Sequence, residues 1–254
     1  MQKLVITTIV GGLFAASSAV AGDFSVPLTT APAASNLGDL AVGYNSQHVF
    51  RGVNLGNDQV TAELGLAHTC PLTGLALDFT AWYGSASSNN ATAPEDELRL
   101  TLSTSKDLGF ADATVGYTFY HFLNGNKPSF TGNGGDSQEV FFGLSRELYG
   151  VDASLTYFWD IEGDNQGYTE LGLSKSLNVF GKALDLGATV GYLVEEGALS
   201  HATVSVSHDI AFGNATLTPY VAYSVELDDL EQSSRSNGSD ENELFAGAAL
   251  KVQF

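Results

Sequence analysis

The sequence predicts an all-β protein, a transmembrane up-and-down antiparallel β-barrel of about twelve strands. Three observations carry that expectation. Segments of about ten alternating apolar and polar residues recur along the chain. The connections between them alternate between short and long. Aromatic residues gather at the segment ends.

The last segment shows the pattern most plainly. In ELFAGAALKVQF, Glu243 to Phe254, residues Leu244, Ala246, Ala248, Leu250, Val252 and Phe254 fall on one face. Glu243, Gly247, Ala249, Lys251 and Gln253 fall on the other, with Phe245 the bulky exception. A tilted strand of about ten residues crosses a bilayer. A chain stopping on an aromatic at the end of such a strand resembles bacterial outer-membrane barrels. That resemblance implies that Phe254 is an assembly signal read by the barrel assembly machinery.

Composition narrows the class further. The chain has 254 residues, enough for one barrel domain. Lys3, the apolar run Leu4 to Ala16 and the small residues Ala19-Val20-Ala21 read as a signal peptide over 1–21. Residues 22–36, rich in Ser, Thr, Ala and Pro, read as an extended leader, and 37–254 as the barrel. Removing 1–21, which carries one base and no acid, leaves 9 bases against 29 acids, a net charge of −20. That balance excludes nucleic-acid binding, whose phosphates need Lys and Arg. It also argues against a basic patch for anionic lipid. Cys70 is the single cysteine, so the chain forms no internal disulfide.

Twelve segments centre on 38–49, 59–68, 75–84, 97–105, 111–122, 138–147, 151–159, 167–176, 183–193, 201–208, 215–224 and 243–254. The short connections are Cys70–Gly74, Lys106–Phe110, Glu147–Gly150, Leu177–Gly181 and Asp209–Gly213. The long ones are Arg51–Gln59, Ser85–Asp96, Leu123–Asp136, Asp160–Gln166, Val194–Ser200 and Val225–Asn242. Tight periplasmic turns and longer outside loops would produce that alternation. Tyr83, Phe119, Trp159, Tyr192 and Tyr223 then mark one interface, and Phe110, Tyr149, Phe180, Phe212 and Phe254 the other. A hairpin module also repeats: SKDLGFADATVGYTFY, SRELYGVDASLTYFW, SKSLNVFGKALDLGATVGYL and SHDIAFGNATLTPYVAY. Each runs from a Ser with a basic or His neighbour, through an aromatic–Gly turn, into an alternating strand.

With the apolar face toward lipid, the lumen receives Asp39, Glu63, Asp78, Arg99, Glu139, Asp152, Glu170, Asp185, Glu243 and Lys251. Eight acids against two bases would draw small cations or polar solutes and repel anions. Arg99 and Lys251 would pair with some of these acids. Gly65, Ala76, Gly116, Gly143, Gly172, Gly187, Gly191, Gly247 and Ala249 on the same face would leave room for a channel. The alternative is a salt-bridged, non-conducting barrel that acts through its surface. Its acidic loops would bind divalent cations, lipopolysaccharide or an external partner.

The loop acids include Glu95-Asp96-Glu97, Glu195-Glu196 and the run Glu226 to Glu241. Asp160, Glu162 and Asp164, spaced by two, are the weak candidates for calcium or magnesium, and no other cofactor is expected. No enzyme is expected either. His48, His68 and His121 lie in three segments, and Ser207 and His208 are neighbours that point apart. The spacing therefore singles out no Ser–His pair.

The first hairpin, VGYNSQHVFRGVNLGNDQVTAELGL, resembles the opening of the TorF family of porins, outer-membrane barrels with an aromatic–Arg–Gly element after the first strand. Here that element is Phe50-Arg51-Gly52-Val53. The resemblance implies a porin-like role; the chain is expected in the bacterial outer membrane, with membrane lipid around it and homo-oligomers allowed. From the residues themselves, Gly52 suits a turn and Arg51 would fold over the mouth onto lumen acids.

Overall fold

This computed structural model describes residues 38–70, 72–73, 75–87, 96–123, 136–162, 167–227 and 242–254. The expected signal peptide and leader, and of the loop acids Glu95, Asp164, Asp228, Asp229, Glu231, Asp240 and Glu241, lie outside them.

The strands are β1 (Gly38–Phe50), β2 (Val53–Thr69), β3 (Ala76–Ser87), β4 (Asp96–Asp107), β5 (Asp112–Phe122) and β6 (Ser137–Leu148). There follow β7 (Val151–Asp160), β8 (Tyr168–Val179), β9 (Lys182–Leu193), β10 (Ala198–Ser207), β11 (Ile210–Phe212), β12 (Ala215–Glu226) and β13 (Asn242–Gln253). Each long strand pairs antiparallel with its neighbours in the sheet, and β1 pairs with β13 from Asp39↔Gln253 to Asn45↔Gly247, which closes the barrel. Gly38 and Phe254 exchange backbone hydrogen bonds at the inner end of that seam.

The barrel is twelve strands around. The pairing Ser207↔Tyr220 of β10 continues in register to Ile210↔Leu217 of β11, so the short strand is the inner end of the same ribbon. Pro219 explains the interruption. Its carbonyl accepts the His208 N–H, but it has no N–H to return, and the ladder breaks there.

Burial runs inside out for a water-soluble protein. Leu40, Val42, Leu102, Phe142, Leu155, Leu171, Val204 and Val221 are exposed on the outside, whereas Asn45, Gln59, Glu63, Arg99 and Glu139 are buried inside. Among the described residues no helix is long and apolar enough to cross a membrane. An apolar outer band around a polar interior is what strands crossing lipid require. Tyr83, Trp159, Tyr192 and Tyr223 are exposed at one edge of that band, and Phe110, Tyr149, Phe180, Phe212 and Phe254 at the other.

Two expected long loops are tight turns instead. Arg51 and Gly52 both have positive φ, 48° and 81°, the twist that a two-residue hairpin turn needs, so β1 and β2 pair right up to Phe50↔Val53. Residues 194–197 alone join β9 to β10. The polar content of NLGNDQ and EEG suggested loops, but these residues prolong strands or form turns. Inner turns built on Tyr149-Gly150 and Phe180-Gly181 use the same paired positive φ.

Candidate functional site: an arginine-latched lumen

The site begins with a local irregularity. The β1–β2 register shifts between His48 and Val49, and His48, Val49 and Phe50 are all buried. A bulge of this kind bends and re-aims a strand end. It turns the Phe50-Arg51-Gly52 tip into the barrel rather than out over the mouth.

Inside, Phe50 separates two guanidinium groups. Its ring centroid lies 5.0 Å from the Arg51 Cζ and 4.7 Å from the Arg99 Cζ. Arg51 also lies over Tyr168 at 4.4 Å and Phe158 at 4.9 Å, and Arg99 over Trp82 at 4.5 Å and Tyr120 at 5.4 Å. A planar cation over an aromatic face gains from the ring quadrupole, most of all where water is excluded. Each arginine also has a carboxylate. Arg51 donates to both oxygens of Glu139 at 2.8 Å, and Arg99 donates from Nε to Glu97 at 2.5 Å. The Tyr120 hydroxyl donates to Glu139 at 2.9 Å.

The far side of the tip is sealed by the β9–β10 wall. The Gly52 backbone comes so close to His201 that a Cβ there would lie 2.5 Å from the imidazole Cγ. His201 stacks on Tyr168, with centroids 6.4 Å apart and planes 3° from parallel. Ser200 shares a hydrogen bond of 3.0 Å with His201, and its hydroxyl donates to the Arg51 carbonyl at 3.3 Å. Consecutive residues face the same interior because the register shifts between Leu199 and Ala202. A water-sized void between Val49, Arg51, Gly52, Thr189, His201, Thr203 and Phe245 remains there. Phe245, the bulky exception of the last strand, faces inward and packs on Val49, Tyr220 and Ala222.

The small residues of the lumen do not leave the expected space. A Cβ at Gly191 would lie 2.6 Å from the Tyr168 hydroxyl, one at Gly247 2.6 Å from the Tyr220 ring, and one at Gly116 would clash with Phe141. These glycines are seats for aromatic rings that lie across the wall. They let the outer half of the lumen fill. Toward the inner end the lining changes to hydroxyls and carboxylates. Thr101 bonds Thr118 and Ser105 bonds Thr114, each at 3.0 Å across neighbouring strands.

The expected lumen residues all face inward, and two groups of them meet: Arg51, Arg99 and Glu139 at the latch, and Asp39 with Lys251 near the seam. Glu63 is buried opposite Ala41 and Trp82, and Asp78 opposite Ala67 and Ser103. Glu170 accepts from the Tyr168 hydroxyl at 2.9 Å, and Asp185 accepts from Ser176. Lys251 lies 3.6 Å from Asp39. Four acids assigned to loops belong to strands: Asp96 and Glu97 open β4, Asp160 ends β7 and Glu226 ends β12, with Glu97 and Asp160 buried. The Asp160 carboxylate caps the Glu162 backbone N–H at 2.9 Å, and Glu162 accepts from Gln138 at 2.8 Å. Among the described residues no three His, Cys, Asp or Glu side chains converge to hold a metal ion. Of the partners that sequence reasoning missed, Trp82, Tyr120, Tyr168 and Glu97 share the inward parity of the acids, which was the signal available, whereas Phe50 turns inward only through the register shift after His48.

No protein-family model matches the chain, and no curated protein matches it in sequence. Solved structures do share the fold. An outer-membrane channel from Pseudomonas putida F1 is similar over 87% of this chain and 97% of its own, at 14% identity and a TM-score of 0.50. Outer-membrane phospholipase A from Escherichia coli is similar over 85% of this chain and 92% of its own, at 13% identity and a TM-score of 0.50. The Salmonella typhi phospholipase, solved as a dimer with bound calcium, is similar over 85% and 90%, at 14% identity and a TM-score of 0.50. These likenesses correct the expectation that no enzyme is encoded, because this barrel architecture carries enzymes as well as channels. The chain shares the twelve-stranded antiparallel β-barrel fold of these outer-membrane proteins.

Proposed function

We infer that the protein is a porin-like channel of low conductance that passes small cations and small polar solutes, and that its outer end is held shut by the β1–β2 tip. One observation carries this reading. An inward-facing acidic lining, from Asp39 and Asp78 up to Glu63, leads to a closure made by a single hairpin tip latched through Arg51 to Glu139. A fixed negative wall in a low-dielectric surround concentrates cations. A tip held by one bidentate ion pair and a few ring contacts is a small element to displace.

The aromatic–Arg–Gly element at the tip also supports kinship with the TorF porins. Phe254 closing the β1–β13 seam supports its role as the assembly signal. The filled outer half favours a second reading, a barrel that stays shut and acts through its outer surface, with the loop acids taking calcium, magnesium or lipopolysaccharide.

The refolded mature protein in a planar bilayer under a salt gradient tests both. Current steps with a reversal potential on the cation side support the channel. A folded, heat-modifiable barrel that gives no steps, even with Arg51→Ala, rejects it in favour of the closed barrel.

A further inference from the structure

The aromatic ends of the repeated Ser–base–turn–aromatic module supply Tyr120 and Phe158 to the lumen latch, but its Ser–base ends lie at the inner rim and their geometry points elsewhere. In each copy the Ser faces in and its neighbour faces out. Ser105, Ser145 and Ser174 line the lumen, while Lys106, Arg146 and Lys175 stand exposed on the outer face at the inner end of β4, β6 and β8. Lys182, the first residue of β9, joins them. The acids at this end take the opposite parity. Asp107 faces Asp112, and Glu147 faces Asp152, across adjacent strands on the lumen side. Lys106 and Asp107 are chain neighbours, as are Arg146 and Glu147, yet the pleat sends them to opposite sides of the wall. Among the described residues the four outward bases have no ion pair.

We propose that this arc of bases, from β4 to β9 along one side of the barrel, is a partial collar for anionic phospholipid headgroups of the inner leaflet. The bases rise from the lipid-facing band itself: Leu144 and Leu148 flank Arg146 on its face, and Leu173 precedes Lys175, all exposed. Side chains in that position keep their stems along lipid and carry their charge to the phosphate level. Phe110, Tyr149 and Phe180, at the turns below, are exposed and belong to the same interface. A soluble protein partner or free phosphate would meet the rim from below, whereas these bases point sideways into the bilayer edge. The net charge of the chain argued against any basic lipid patch. Net charge averages over the whole chain, whereas the few bases are sorted by strand parity rather than spread.

The test places a reporter at the collar. Tyr149→Trp protein, refolded into phosphatidylcholine vesicles, is quenched by brominated phosphatidylglycerol or by brominated phosphatidylcholine, with the unsubstituted protein as background. Each base near an anionic surface favours the anionic lipid by about fivefold at low salt, so the collar should give a preference of at least about fivefold. That preference should fall with salt, and it should vanish when Lys106, Arg146, Lys175 and Lys182 are all changed to Gln. Lys251→Gln, inside the lumen, should leave it intact. Equal quenching by the two lipids in the Tyr149→Trp protein alone overturns the proposal, even if the fourfold variant does not fold. A preference that survives the fourfold change overturns it too. So does one abolished by low concentrations of inorganic phosphate, which would mark a site for the free anion.

Discussion

Arg51 and Glu139, 88 residues apart in sequence, form a two-pronged ion pair across the lumen, with both hydrogen bonds at 2.8 Å. The guanidinium comes from a two-residue turn and the carboxylate from the outer end of β6, opposite Asp160 of β7. The pair therefore fixes the position of an element that no other strand pairing holds.

Removing one partner leaves a charge where water is largely excluded, since the two side chains are 13% and 9% exposed. Arg51→Ala or Glu139→Leu should each lower unfolding stability by about 3–5 kcal/mol. Arg51→Met combined with Glu139→Leu should recover most of that loss. Urea titration of vesicle-embedded protein reads both, and additive losses in the double variant would contradict a mutual latch.

Gly247 is a seat rather than a gap. A Cβ there would lie 2.5 Å from the Tyr44 carbonyl oxygen and 2.6 Å from the Tyr220 ring. Gly247→Ala should lower the urea midpoint by the equivalent of about 1–3 kcal/mol. Gly143→Ala, whose nearest neighbour is the Thr156 hydroxyl at 3.2 Å, should be nearly neutral. Equal effects at the two sites would contradict the account of the glycines.

The inner turn after β2 offers a chemical probe. Hydrogen bonding from the Thr73 side chain, then from the Thr73 and Leu72 backbone, holds the Cys70 thiol below its ordinary range. A lowered pKa means more thiolate at neutral pH and faster alkylation. Thr73→Val should move the rate–pH curve for iodoacetamide to higher pH. Superimposed curves would contradict the hydrogen bond.

Phe254 ends the closing seam, with its N–H donating to Gly38 at 3.1 Å and its carbonyl accepting at 3.3 Å. Phe254→Ser keeps those backbone groups and removes only the ring. If the ring is the assembly signal, this variant should refold unaided in detergent at the native rate yet assemble slowly on membranes that hold the assembly machinery. Unchanged assembly there would leave Phe254 as seam backbone alone.

Most of the architecture was legible because period-two alternation reports directly which side of a wall a residue faces. Glu63, Asp78, Glu170, Asp185 and Lys251 all point inward as their parity requires. What parity does not carry is distance around the barrel, so it could not show that Arg51 and Arg99 share Phe50. Irregularities were also hidden. The shifts after His48 and after Leu199 each turn consecutive residues inward, which is why Ser200 and His201 meet although neighbours in a regular strand point apart. Polarity misled in NLGNDQ, where residues extend β2 past the expected loop, and small size misled at Gly116 and Gly191.

The most direct test of the latch is single-channel recording of the unsubstituted protein beside Arg51→Ala at the same protein density. The account predicts brief, small openings for the former. It predicts a several-fold higher open probability with Arg51→Ala and unchanged cation selectivity, because Glu63 and Asp78 remain. Identical open probability in the two proteins would show that the Arg51–Glu139 pair closes nothing.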